Sequence, residues 1–321
     1  MNSFRVIKGF FLSFVFLALF TYGVFGVQAF FENAVKDLNQ NKFLGSLIEN
    51  PVVNANYNQA DAKQDVKNTE GPDISAQSAI SVETNFSIGN QIIFSKNIQR
   101  KLPIASITKL MTALVAEENV DFSKKITISE TAANQSKYPE TLKVGEKFYA
   151  KDLLYAMLIG SDNAASYALS ESIGEDKFVG LMNAKAKEIG LLDTSFADST
   201  GISIDNFSTT QDLLKLAEYI LRNKPTIFQV TIAPEFDLHS VDGKILYKIL
   251  NTDELLNNSS DFSKRIVGGK TGETRSAGQC LLLIVKTLDN QNYLINVILN
   301  SSDRFGEIKE IIDWADSQKL Q

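Results

Sequence analysis

Ser106 and Lys109 stand three residues apart in "LPIASITKLMTAL", and theirs is the only Ser-x-x-Lys in the chain. A serine hydroxyl is a weak nucleophile until a neighbouring base takes its proton. A lysine one helical turn on lies on nearly the same face and within reach of the hydroxyl. To act as that base its pKa must fall well below about 10.4, which burial or a second cation achieves. Ile104, Ala105, Ile107 and Leu110 surround the pair with apolar side chains. At a helix start, developing negative charge on the serine would also meet free backbone N–H groups. A capping serine beside a surface lysine would give the same four residues.

Two further polar stretches bear on that choice. Ser161-Asp162-Asn163 follows the apolar run "LLYAMLIG" and opens a helical pattern, where an ordinary N-cap would also fit. Lys270-Thr271-Gly272 lies in "VGGKTGETRSAGQC" at the opening of a strand-rich block. A lysine and a threonine on a strand among glycines leave room for a substrate backbone and offer a positive site for a carboxylate. The glycine spacing around Lys270 does not fit a phosphate-binding loop.

Other chemistries are excluded by composition. The chain has one histidine, His239, and one cysteine, Cys280. That pair makes neither a disulfide nor a usual zinc site, so no metal or cofactor is expected. No Gly-x-Ser-x-Gly elbow accompanies His239, which is read as a strand or turn residue. Cys280, in "QCLLLIV", is read as a buried thiol. A net charge of −6 and the lack of a basic run give nucleic-acid binding no support.

The elements that must position these residues can be traced along the 321-residue chain. Residues 1–8 carry Arg5 and Lys8, and Gly9 to Phe31 is an uncharged apolar run of 23 residues. At 1.5 Å per residue it can span a bilayer of about 30 Å. It is expected to be a membrane anchor rather than a cleaved signal, with Lys36 and Lys42 weakening the charge bias that would orient it. Either way the bulk of the chain is expected outside the cytoplasm. Residues 32–77 read as a polar linker, and 78–321 as one folded domain. "AISVETNFSIGNQIIFSKN" predicts a hairpin turning at Ile88-Gly89-Asn90. From Ser106 to about Asn223 the pattern is helical, with Leu110, Met111, Leu114 and Val115 on one face of the first helix. After Pro225, "RIVGGKTG", "GQCLLLIVKTL" and "NYLINVILNS" predict strands, and "DRFGEIKEIIDWADSQ" an amphipathic helix. The fold class is therefore α+β: an antiparallel sheet built from both ends of the domain and flanked by terminal helices, a mainly helical lobe, and a cleft between them.

The order Ser-x-x-Lys, Ser-Asp-Asn, Lys-Thr-Gly resembles the motif set of serine-active penicillin-binding proteins and β-lactamases. Within these the chain is most similar to the D-alanyl-D-alanine carboxypeptidases of the S11 peptidase family. The likeness runs from about Ser78 to the C-terminus and includes "GLLDTSFADSTGIS", "STTQDLLKLAEYIL" and "NSSDRFGEIKEIIDWA". The resemblance implies a β-lactamase-like fold and a serine D,D-peptidase acting on peptidoglycan stem peptides that end in D-Ala-D-Ala, with β-lactams as covalent inhibitors. It implies Ser106 as the acyl-ester nucleophile and Lys109 as its base. Ser161 would relay a proton, and Asn163 would hold Lys109 and the substrate amide. Lys270 and Thr271 would bind the terminal carboxylate, with Gly272 beside them on the same substrate-binding strand. The N–H groups of Ser106 and Glu273 would form the oxyanion hole, and Arg304 would help hold the carboxylate or serve only as a salt-bridged helix-start residue. Two departures bear on the output. Ser-Asp-Asn replaces the Ser-Gly-Asn of many S11 members. No Glu-x-x-Leu-Asn string lies between Asn163 and Ile204, which argues against fast β-lactam hydrolysis. A D,D-endopeptidase, a weak β-lactamase and a non-catalytic penicillin or wall-peptide receptor remain alternatives on the same fold. No C-terminal β-rich domain or second membrane helix is expected, so residues 9–31 would carry the anchoring.

Overall fold

The computed structural model describes residues 70–86, 89–135, 142–257 and 260–318, all within one unit of the chain, Asp65–Gln321. The apolar run at 9–31, most of the polar linker and the turn residue Ile88 lie outside the described residues. Among the described residues no helix is long and apolar enough to cross a membrane.

The domain opens with the expected hairpin, β1 (Ser78–Asn85) and β2 (Gly89–Lys96). A two-residue strand, β3 (Leu102–Pro103), leads into a 3₁₀ turn over Ala105–Ile107 and then α1 (Thr108–Asn119). The helical lobe continues through β4 (Lys125–Thr127), α2 (Glu130–Ala133), β5 (Lys147–Tyr149), α3 (Ala150–Ile159), α4 (Asn163–Glu171) and α5 (Glu175–Glu188). It closes with β6 (Phe207–Ser208), α6 (Thr210–Asn223) and α7 (Thr226–Thr231). A hairpin of β7 (Glu235–His239) and β8 (Ile245–Leu250) precedes the three long strands β9 (Ile266–Thr274), β10 (Gly278–Lys286) and β11 (Tyr293–Ser301). The last described element is α8 (Arg304–Gln318).

The main sheet runs β2-β1-β11-β10-β9, every neighbouring pair antiparallel. The first and last strands of the domain meet in its middle, Ile80 opposite Val297. Period-two alternation divides the side chains of β10 between two cores. Leu281, Leu283 and Val285 face Ile308, Ile311, Ile312 and Ala315 of α8. Cys280, Leu282 and Ile284 face the helical lobe. Each isoleucine that α8 buries contributes about 1.5–3 kcal/mol. The expected plural of flanking helices is met on this face by α8 alone among the described residues.

Four expectations need correction. The packed domain begins before Ser78, because Ile74 and Ala76 are buried against α8 and the Ser75 and Ala76 N–H groups donate to Glu307. The first long helix starts at Thr108 rather than Ser106. It is also not one-faced: Thr108 through Ala116 are all buried, so α1 is the central rod of the lobe. A helix apolar or small on every side is what such a position selects. Short paired strands interrupt the predicted helical stretch, β3 with β6 and β4 with β5. The Cys280 thiol is buried as expected, and His239 ends β7.

Candidate active site

Ser106 lies in the 3₁₀ turn ahead of α1, where the chain makes an unfavourable bend: Ala105 has φ +48°. A non-glycine residue in that region costs about 1–3 kcal/mol and persists only when its surroundings impose it. Two glycines from distant segments impose it here. A Cβ on Gly201 would sit 2.1 Å from the Ala105 carbonyl oxygen and 3.0 Å from the Ser106 nitrogen. A Cβ on Gly272, in β9, would sit 2.9 Å from the Ile104 oxygen and 3.0 Å from the same nitrogen. The Ser106 peptide is thus gripped between the helical lobe and the edge strand of the sheet. Gly201 also has φ +87°, a conformation that favours glycine. Gly201→Ala must move the Ala105–Ser106 peptide. An ångström of displacement costs on the order of 10²-fold in rate, so acylation by a fluorescent penicillin should fall by about that factor while purified variant remains folded by circular dichroism.

Lys109 is fully buried one turn along α1. Its Nζ lies 2.9 Å from Ser106 Oγ, 2.7 Å from Asn163 Oδ1 and 2.6 Å from the Thr200 carbonyl oxygen. A neutral amine has two N–H groups and one lone pair. Asn163 Oδ1 and the Thr200 carbonyl oxygen are acceptors, so in the neutral amine they take the two N–H groups and the lone pair is left for the Ser106 hydroxyl. Burial pulls the Lys109 pKa down to about 7, against the opposing charges of Asp162 and Asp198. Acylation should therefore fall about tenfold for each pH unit below about 7. A rate of penicillin-adduct formation that stays flat down to about pH 5 would contradict a lysine base.

Asn163 is the first residue of α4, whose cap Asp162 accepts from the Ala165 N–H at 2.8 Å. Desolvation of the cap carboxyl raises its pKa. Ser161 sits just before it at φ +57°, a second strained serine-loop residue. It lies in the same loop as Asn163, but it is not among the hydrogen-bond partners of Lys109.

The third motif forms β9. Lys270 is buried and donates to the Thr271 carbonyl oxygen at 3.2 Å. Its pKa is held well below the ordinary value by burial and by the nearby charge of Lys109, with Arg304 adding to the effect and Asp253 opposing it. The Thr271 hydroxyl pairs with that of Thr252 at 2.6 Å. Arg304, first residue of α8, donates to the Gly272 carbonyl at 3.2 Å and to Glu273 Oε2 at 3.1 Å. It is thus both a salt-bridged helix-start arginine and a close neighbour of the third motif. The Glu273 side chain is exposed.

All three motifs meet at one place, and several partners were invisible to the motif reading. Asp198 folds the loop that delivers Thr200 and Gly201: its carboxylate accepts from the N–H groups of Thr200, Gly201 and Ser203 at 2.7, 2.6 and 2.8 Å. Burial pushes its pKa up, but these bonds outweigh that and hold it below the usual value. The Asp-Ser-Thr-Gly run carries the composition of such a side-chain-to-backbone turn.

A buried lysine with a lowered pKa, 2.9 Å from the hydroxyl of a clamped serine, defines a serine acyl-transfer centre with a lysine base. The profile of the D-alanyl-D-alanine carboxypeptidase family, peptidase S11, matches residues 65–303, and the chain belongs to that family. It is 33% identical over 228 residues to a D-alanyl-D-alanine endopeptidase of Pseudomonas aeruginosa, covering 70% of each chain. It is 32% identical over 268 residues to the D-alanyl-D-alanine carboxypeptidase DacF of Bacillus subtilis, covering 80% of this chain and 66% of the relative. Among solved structures it is similar to penicillin-binding protein D2 of Listeria monocytogenes in its ampicillin-bound form, with TM-score 0.65, 26% identity, and coverage of 76% of this chain and 99% of that one. The fold is that of the penicillin-binding D,D-peptidases, as expected, and the chain is a serine hydrolase by family.

Proposed function

We propose that the chain is a D-Ala-D-Ala carboxypeptidase that trims peptidoglycan stem peptides through an acyl-enzyme on Ser106. The observation that carries this is the buried Lys109 amine 2.9 Å from the Ser106 hydroxyl. Neutral Lys109 takes the Ser106 proton as Oγ attacks the carbonyl of the penultimate D-alanine. The N–H groups of Ser106 and Glu273 receive the oxyanion, the kind of stabilisation that is usually the largest catalytic contribution. When the tetrahedral species collapses, the C–N bond breaks and the proton on Lys109 passes through Ser161 to the departing amine, releasing D-alanine. Water then attacks the ester with Lys109 again as base, and Ser106 recovers its proton. Asn163 orients Lys109 and the substrate amide. Lys270 and Thr271, with Arg304 behind them, receive the terminal carboxylate. A β-lactam follows the first half of this course, its ring nitrogen replacing the departing amine.

The P. aeruginosa relative, named an endopeptidase, favours a second reading in which the scissile bond lies in a cross-link. A linear pentapeptide and a cross-linked dimer, assayed side by side for released D-alanine and for separated stems, distinguish the two. The carboxypeptidase reading fails if the pentapeptide loses no D-alanine. Export, with anchoring by residues 9–31 to the outer face of the cytoplasmic membrane, completes the proposal. Sequencing the N-terminus of the native protein tests it, since a start at Phe30 or beyond would mean a cleaved signal.

A further inference from the structure

The segment Asn251-Thr252-Asp253 belongs to none of the three motifs, yet it touches one of them and the end of the helix that leads into another. The Thr252 N–H donates to the Ile159 carbonyl at 3.2 Å, just ahead of the Ser161 loop. Its hydroxyl is the 2.6 Å partner of Thr271. Asn251 fixes the segment by donating to the Thr231 and Ala233 carbonyls, both at 2.7 Å, and by accepting the Asp253 N–H at 2.8 Å. Asp253 is a buried carboxylate that no proposed step uses. It accepts from the Leu255 N–H at 3.0 Å, and its other oxygen would lie 3.6 Å from a Cβ on Gly269, the residue before Lys270.

We propose that Asn251–Asp253 is a positioning strap for the carboxylate pocket: Thr252 orients the Thr271 hydroxyl, and Asn251 and Asp253 hold Thr252 in place. Together they set the preference for substrates with a free terminal carboxylate. The inference rests on the proposed role of Lys270 and Thr271 in holding that carboxylate.

The test compares a peptide ending in D-Ala-D-Ala with the same peptide ending in a carboxamide. The readout is the acid-to-amide ratio of kcat/KM across pH. In the wild type the ratio should be high. Thr252→Val should lower it about tenfold at every pH, and Thr252→Ser should restore it. Thr252→Ala removes the same hydroxyl and keeps the test decisive if Thr252→Val does not fold. A ratio that loss of the Thr252 hydroxyl leaves unchanged, in an enzyme whose wild type discriminates, overturns the strap and leaves the carboxylate pocket standing. A wild type that turns over acid and amide equally at every pH overturns both.

Discussion

Ser106→Ala is expected to take up no labelled penicillin and to release no D-alanine from a wall pentapeptide. The loss should be on the order of 10⁴-fold or more, because removing a nucleophile leaves only the contribution of binding and the oxyanion hole. The fold should survive. The substitution removes one oxygen and leaves the Ala105 bend and both glycine contacts in place, so thermal unfolding should shift by only a few degrees. Intact-mass spectrometry with peptide mapping is the measurement. In the wild type the adduct should fall on the peptide carrying Ser106. An adduct of equal yield on the alanine variant would remove Ser106 from the mechanism.

Lys109→Met separates the base from the packing. Methionine fills most of the volume of a buried lysine and needs no proton, so the apolar environment of α1 is kept. The Asn163 side chain and the Thr200 carbonyl each lose a donor, at about 1–3 kcal/mol apiece. Methionine in turn removes the cost of burying an amine. Acylation should drop by 10²–10⁴-fold, the usual worth of a positioned general base. The residual rate should lose the acid limb near pH 7 that burial of Lys109 gives the parent. A variant that is slow but keeps that limb would place the titrating group elsewhere.

The parts of this site that a sequence displays are those compressed into a few adjacent residues. Ser106 and Lys109 are separated by one turn, and Lys270, Thr271 and Gly272 are consecutive, so their side-chain chemistry is visible as a string. The long strands and α8 are legible because continuous apolar runs and helical periodicity leave clear traces over nine or more residues. What stays hidden acts through the backbone or across the fold. Thr200 contributes a carbonyl oxygen, which any residue has. Gly201 contributes the lack of a side chain. Thr252 matters because of two partners at distant positions. The start of α1 was misplaced for a local reason: Ala105 is bent by contacts that no propensity encodes. Its burial on all sides was missed because apolar spacing shows which face can be buried, not how many neighbours cover it.

The grip of Gly201 and Gly272 on the Ser106 peptide also fixes when the enzyme becomes reactive. One jaw lies in the middle of the chain, and the other sits on β9, whose sheet partner, β10, comes still later and is followed by β11. β11 in turn must pair with β1 to complete the sheet. A chain that emerges N-terminus first therefore carries Ser106 and Lys109 for most of its passage without a formed site. Reactivity toward penicillin should arise only when the last strand docks, which makes the acyl-enzyme a report on completion of the fold. A chain ending at residue 265 should remain unlabelled however long it is kept with the drug.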